Sequence, residues 1–201
     1  VVAKRFPFTE KHLILASSSP RRRYLLRLIH MPHVVARPEV REEDHRDDDP
    51  VEHVLRLSSL KARSVEGRYD RGYILGADTV VVLDGDILGK PASEDEARRM
   101  LISLAGRTHE VYTGLSLVDA ESGLEKRGHE MTRVKIRSME LWEVEAYVGT
   151  GEPMDKAGSY GIQGYGAGIV EEVVGCYFNV VGLPIVRLLR LIRDLDRICG
   201  G

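Results

Sequence analysis

Asp84-Gly85, set between the apolar pairs Val82-Leu83 and Ile87-Leu88, leaves the chain few options at that point. A two-residue type I′ turn needs positive φ at both central positions, and Asp-Gly is one of the pairs that accepts them, so an antiparallel hairpin is expected there. The segments upstream obey a different rule. "HLILA" predicts a short buried strand, Ser19-Pro20 an N-cap and first helical position, and Tyr24, Leu25, Leu28 and Ile29 continue at helical spacing. "HVVAR" predicts a second strand, and Asp49-Pro50-Val51-Glu52 opens a helix with Val51, Val54, Leu55, Ser58, Ala62 and Val65 on one face. A chain that starts β, α, β, α and then turns to hairpins is committed to a mixed sheet.

The remainder agrees. Ser93 to Glu96 reads as a capping box opening a helix that Gly106 closes. Two long strands follow, about 108–118 and 126–138, joined by "DAESG". A helix around 142–148, a glycine-rich stretch "GSYGIQGYGAG", a strand "IVEEVVG" and an amphipathic helix "LPIVRLLRLIRDL" complete the order. With 201 residues, no repeat and no low-complexity linker, the expectation is one α/β domain over 1–201, built on a long twisted mixed sheet flanked by helices. A net charge of −2 argues against general nucleic-acid binding, and Arg133, Lys135 and Arg137, alternating along one strand, read as a solvated face. No apolar run approaches the ~20 residues of a membrane span, and Cys176 and Cys199 make no CxxC, so the chain reads as intracellular, with a single disulfide left open.

Chemistry concentrates at two places. Arg21, Arg22 and Arg23 fall in the first turn of the first helix, where the dipole disfavours each cation by roughly 0.3–1 kcal/mol, so something anionic should compensate. A strand, a serine turn and a helix N-terminus make a general anion site, and Ser17, Ser18 and Ser19 add hydroxyls to it. Asp78, inside "YILGADTVVVL", is costly to bury as a carboxylate unless paired or metal-bound, which suits a general base or a Mg²⁺ ligand. Bonding of an Asp at a strand bend to its own backbone is the commoner use of that residue, and Lys61 and Lys90 read by themselves as ordinary surface cations. The chain has no GxxxxGK[ST], HExxH or GxSxG, and "GIQGYGAG" does not match GxGxxG.

In order and spacing, "LILASSSPRRRYLL", "LGADTVVV", "LGKP", "LAGRTHEVYTG", "EPMDKAGSYGIQGYGA" and "NVVGLP" resemble the Maf family of nucleoside triphosphate pyrophosphatases over about residues 12–190. The resemblance implies an α/β fold of two lobes with a cleft, related to the inosine triphosphatases. It also implies cleavage of a nucleoside triphosphate between the α- and β-phosphates with a divalent metal, Mg²⁺ or else Mn²⁺ or Co²⁺. Carried over residue by residue, it makes Ser17, Arg21 and Arg22 phosphate contacts, with Arg23 outside the motif. Lys61 and Lys90 become pocket lysines, and Asp78 the base. Glu42, with Glu43 beside it as the alternative, becomes the second acid, sharing the metal with Asp78. Gln163 in "GIQG" resembles the subgroup acting on dTTP and UTP rather than on 7-methyl-GTP. The implied partner is the nucleotide, in the cytoplasm, with neither nucleic acid nor membrane, and a homodimer is compatible. A different class stays open beside it: a nucleotide-binding regulator of cell division without significant catalysis.

Overall fold

The computed structural model describes residues 9, 11–40 and 49–199; Glu42 and Glu43 lie outside them. Along the chain run β1 (Leu13–Ala16), α1 (Pro20–Leu28), β2 (His33–Ala36), α2 (Pro50–Glu66), β3 (Tyr73–Leu83), β4 (Asp86–Leu88) and α3 (Glu94–Leu104). They are followed by β5 (Thr108–Asp119), β6 (Glu125–Ile136), α4 (Leu141–Gly149), β7 (Val170–Val174), α5 (Tyr177–Val181) and α6 (Ile185–Cys199). The strands form one mixed sheet in the order β2-β1-β3-β5-β6-β7, with β4 also on β3. Asp84 and Gly85 take φ of +55° and +92°, as the turn requires.

Both sequence rules meet on β3. Along one edge it pairs with β5 from Tyr73 to Val82. The other edge is divided: β1 runs parallel to Tyr73–Gly76, and β4 folds back antiparallel on Val81–Leu83. Among the described residues, 77–80 therefore have no neighbouring strand on that side, and the sheet carries a notch just past the C-terminal end of β1. In α/β sheets, ligands bind outside the carboxyl ends of strands where the topology changes direction.

Packing makes the notch a boundary between two lobes. On one face of β3, Tyr73, Leu75 and Ala77 join a core with Leu25 and Leu26 of α1 and Leu188, Leu191, Ile192 and Leu195 of α6. Val81 and Leu83, farther along the same face, join a second core with Ala97, Leu101 and Leu104 of α3 and Val144, Tyr147 and Val148 of α4. Thr79 lies between them. On the opposite face, α2 crosses behind the notch and contributes Val54, Ala62 and Val65 to the cores there. Two glycines let it lie against the sheet: a Cβ on Gly76 would sit 2.0 Å from Ser58 O, and one on Gly114 would sit 2.4 Å from Val54 O. Such backbone contact is a use to which glycine in a strand is suited.

Candidate active site

Asp78 is placed by this close approach. It stands in mid-strand rather than at a bend, and its Oδ1 accepts from Lys61 Nζ at 2.6 Å, both side chains being 8% exposed. Lys61 is thus not the surface cation its helix position allowed. It shares a stripe of α2 with His53 and Leu57, four residues apart, and all three line a cavity of about 1220 Å³ that opens at the notch. Asp78 Oδ2 makes no hydrogen bond among the described residues. A buried carboxylate with one oxygen held by an ammonium and the other turned to a cavity can accept a proton or bind a cation.

The first turn of α1 forms the next wall. Ser19 caps the helix, its side chain accepting from Arg22 N. Ser17 Oγ accepts from Ser19 N at 3.2 Å and Arg22 Nη1 at 3.2 Å, so its own O–H has no protein acceptor among the described residues. Arg22 is 9% exposed and crosses the seam between the lobes. It donates to Gly182 O at 2.8 Å, Ala77 O at 2.9 Å and Thr79 Oγ1 at 3.0 Å. Thr113 spends its single hydroxyl hydrogen on Asn179 O, which makes Thr79 the donor in the 2.9 Å Thr79–Thr113 bond and leaves Thr79 to accept from Arg22. The compensation that the arginine cluster demanded is therefore partly internal: carbonyl and hydroxyl oxygens for Arg22, and for Arg21 the Asp155 carboxylate at 2.9 Å.

Asp155 belongs to the far wall, the short 3₁₀ turn Glu152–Asp155, and is shared with Lys156 Nζ at 2.7 Å. Burial pushes its carboxyl up, but the hydrogen bonds from Lys156 and Arg21 prevail and hold it below the usual carboxylate range. Lys90, exposed in the loop after β4, and Gln163 line the same cavity. Ser17, Arg21, Arg22, Lys61, Asp78, Lys90 and Gln163 are thus brought together, whereas Glu42 falls outside the described residues. Sequence reasoning passed over Thr79, His53, Asp155 and Lys156. The i, i+4 spacing of His53, Leu57 and Lys61 was a usable signal, and Lys156 lies inside a quoted motif. Thr79 likewise lies inside the quoted "LGADTVVV", directly after Asp78.

Beneath this wall, His109 is 2% exposed, with Nε2 2.7 Å from the Tyr160 hydroxyl and Nδ1 buried with no hydrogen-bond partner among the described residues. Burial lowers its pKa to about 4. The unfolded chain then binds the extra proton first, so stability is full above about pH 6.5 and drains as pH falls toward 4. Wild type is expected to lose about 2–3 kcal/mol more than His109→Gln between pH 7 and 4.5 in urea denaturation. Parallel losses would mean that His109 is not the group responsible.

A family profile described as "Maf-like protein" matches residues 12–195. Among curated relatives, a dTTP/UTP pyrophosphatase of Symbiobacterium thermophilum is 50% identical over 182 residues, covering 90% of this chain and 93% of that protein. Those of Carboxydothermus hydrogenoformans and Moorella thermoacetica are 47% and 48% identical, each over 90% of this chain and over 97% and 93% of theirs. Among solved structures, the Staphylococcus aureus Ham1 protein aligns over 78% of each chain at 14% identity, with a TM-score of 0.45.

Proposed function

The chain belongs to the Maf-like protein family, and on that premise we propose that it hydrolyses dTTP or UTP, or a modified pyrimidine triphosphate, to the monophosphate and pyrophosphate in the notch of β3. The observation that carries the reading is the buried Asp78–Lys61 pair at the floor of a nucleotide-sized cavity rimmed by Arg21, Lys90 and Lys156.

Asp78 Oδ2 would hold the attacking water and take its proton as the oxygen closes on the α-phosphorus, while Lys61 keeps the carboxylate in one orientation. The α-phosphorus then parts from its bridging oxygen, whose electron pair leaves with pyrophosphate. That charge would be met by the Ser17 hydroxyl, the N-terminus of α1, Lys90 and Arg21, the last exchanging Asp155 for a phosphate oxygen. Arg22, engaged with the protein's own oxygens, would serve by fixing Ser17 and Thr79.

Among the described residues, no three His, Cys, Asp or Glu side chains gather to hold a metal. Mg²⁺ is commonly held by one or two carboxylates plus substrate phosphates, so Asp78 would suit a cation that arrives on the nucleotide, while Glu42, the second acid that the resemblance implies, lies outside the described residues. Once bound, such an ion would withdraw charge from the phosphates and make the water more acidic. The working partner is then the small-molecule nucleotide, in the cytoplasm.

Selection among bases would fall to Gln163, whose amide can donate to O4 and accept from N3–H of uracil or thymine, whereas cytosine offers the complementary pattern. UTP and dTTP are expected to exceed CTP, GTP and 7-methyl-GTP in kcat/KM. Gln163→Glu should narrow the UTP preference over CTP ~10-fold, because a carboxylate lacks the donors. A wild-type preference for 7-methyl-GTP would overturn the substrate assignment.

A further inference from the structure

Gln163 has a peculiarity for a residue asked to read a base: among the described residues its side chain has no hydrogen-bond partner in the protein, so its direction depends on the backbone that carries it. That backbone is a loop drawn shut by one tyrosine and one carboxylate. Tyr147 Oη accepts from Gly161 N at 3.0 Å, on one side of Gln163, and donates to Glu152 Oε1 at 2.8 Å. On the other side, Glu152 Oε1 accepts from Gly166 N at 3.0 Å and Oε2 from Tyr165 N at 2.9 Å. The neck between is closed to any side chain: a Cβ on Gly166 would lie 2.0 Å from Gly161 O, and one on Gly164, at φ +72°, would lie 2.4 Å from Glu152 Oε2.

We infer that Glu152, relayed through Tyr147, is a positioning residue that holds Gln163 in register with the base and so sets the choice among pyrimidines; this rests on the nucleotide pyrophosphatase reading above. Only an ionised carboxylate serves all three donors, since it presents acceptors at both oxygens. Burial pushes its carboxyl up, but the Tyr165 N–H, the Tyr147 hydroxyl and the Gly166 N–H prevail and hold it below the usual range. The amide of Glu152→Gln would replace one accepting oxygen by a donor and set N–H against N–H. The 3₁₀ turn that carries Glu152 also carries Asp155, but Asp155 makes none of the loop's hydrogen bonds and is held by Arg21 and Lys156, so the phosphate wall keeps its own support.

The test measures kcat and KM for UTP and CTP, together with inhibition by pyrophosphate, on wild type, Glu152→Gln and Tyr147→Phe. Both variants are expected to raise KM for UTP and to narrow the UTP-over-CTP ratio ~10-fold, as one misplaced buried hydrogen bond would. Inhibition by pyrophosphate, which needs only the phosphate wall, should not move. An unchanged ratio in the folded variants overturns the inference, and so does a pyrophosphate constant that shifts in step with KM, which would mark general damage. Should Glu152→Gln fail to fold, Tyr147→Phe decides, since it removes one hydroxyl from the relay. A wild type that does not distinguish UTP from CTP fells the Gln163 reading and this inference with it, whereas a discriminating wild type with indifferent variants fells the inference alone.

Discussion

Replacing Asp78 by asparagine is expected to lower kcat ~10²- to 10⁴-fold while nucleotide binding persists, the loss typical of removing a general base. Shape and burial are kept; what disappears is an oxygen able to take a proton from water. The carboxylate sits where, among the described residues, β3 has no neighbouring strand on one edge, and its Oδ1 is held by Lys61 at 2.6 Å, so its orientation is fixed before substrate arrives. Binding by calorimetry and turnover by product release, measured on the same preparation, separate the two roles. Near-normal turnover would remove Asp78 from the chemistry. Failure to fold would make the pair with Lys61 a structural device.

Gly76→Ala is expected to act at a distance from any substrate atom. Its Cβ would meet Ser58 O at 2.0 Å and Ala62 N at 2.8 Å, both backbone atoms of α2 that no rotamer change can move aside. The helix must lift from the sheet, at a cost of about 3 kcal/mol and a fall in Tm of roughly 6–12 °C. Lys61 rides on that helix, so the Asp78–Lys61 contact should lengthen and kcat should fall even at temperatures where the variant is fully folded. Calorimetric scanning with kinetics at 20 °C checks both parts. A Tm within a degree of wild type would mean that the close approach of α2 and β3 does not hold the pair together.

The pattern of residues disclosed what is local. The Asp84-Gly85 hairpin, the Ser19 and Asp49 caps and the period of α2 each depend on neighbours within a few positions, and each formed as expected. Arg133, Lys135 and Arg137 pair on their strand face with Glu110, Glu171 and Glu143. Less legible were the elements made by tertiary contact. α5 and the 3₁₀ turns between 152 and 168 are too short to show a period, and they take their shape from partners far along the chain: Asn179 from Val111 and Thr132, Asp155 from Arg21. The division of the β3 edge between β1 and β4, which makes the cavity, was likewise hidden, since a strand's own residues do not say where its neighbours stop. Arg22 shows the same limit. Its position in the first turn of α1 was readable, but its three oxygen partners from 77 to 182 were not.

The claim that water guided by Asp78 attacks the α-phosphorus is tested most directly by running one turnover of dTTP in ¹⁸O-labelled water and weighing the products. Attack at the α-phosphorus places the label in dTMP and leaves pyrophosphate unlabelled. Label in pyrophosphate, or labelled orthophosphate beside dTDP, would contradict it.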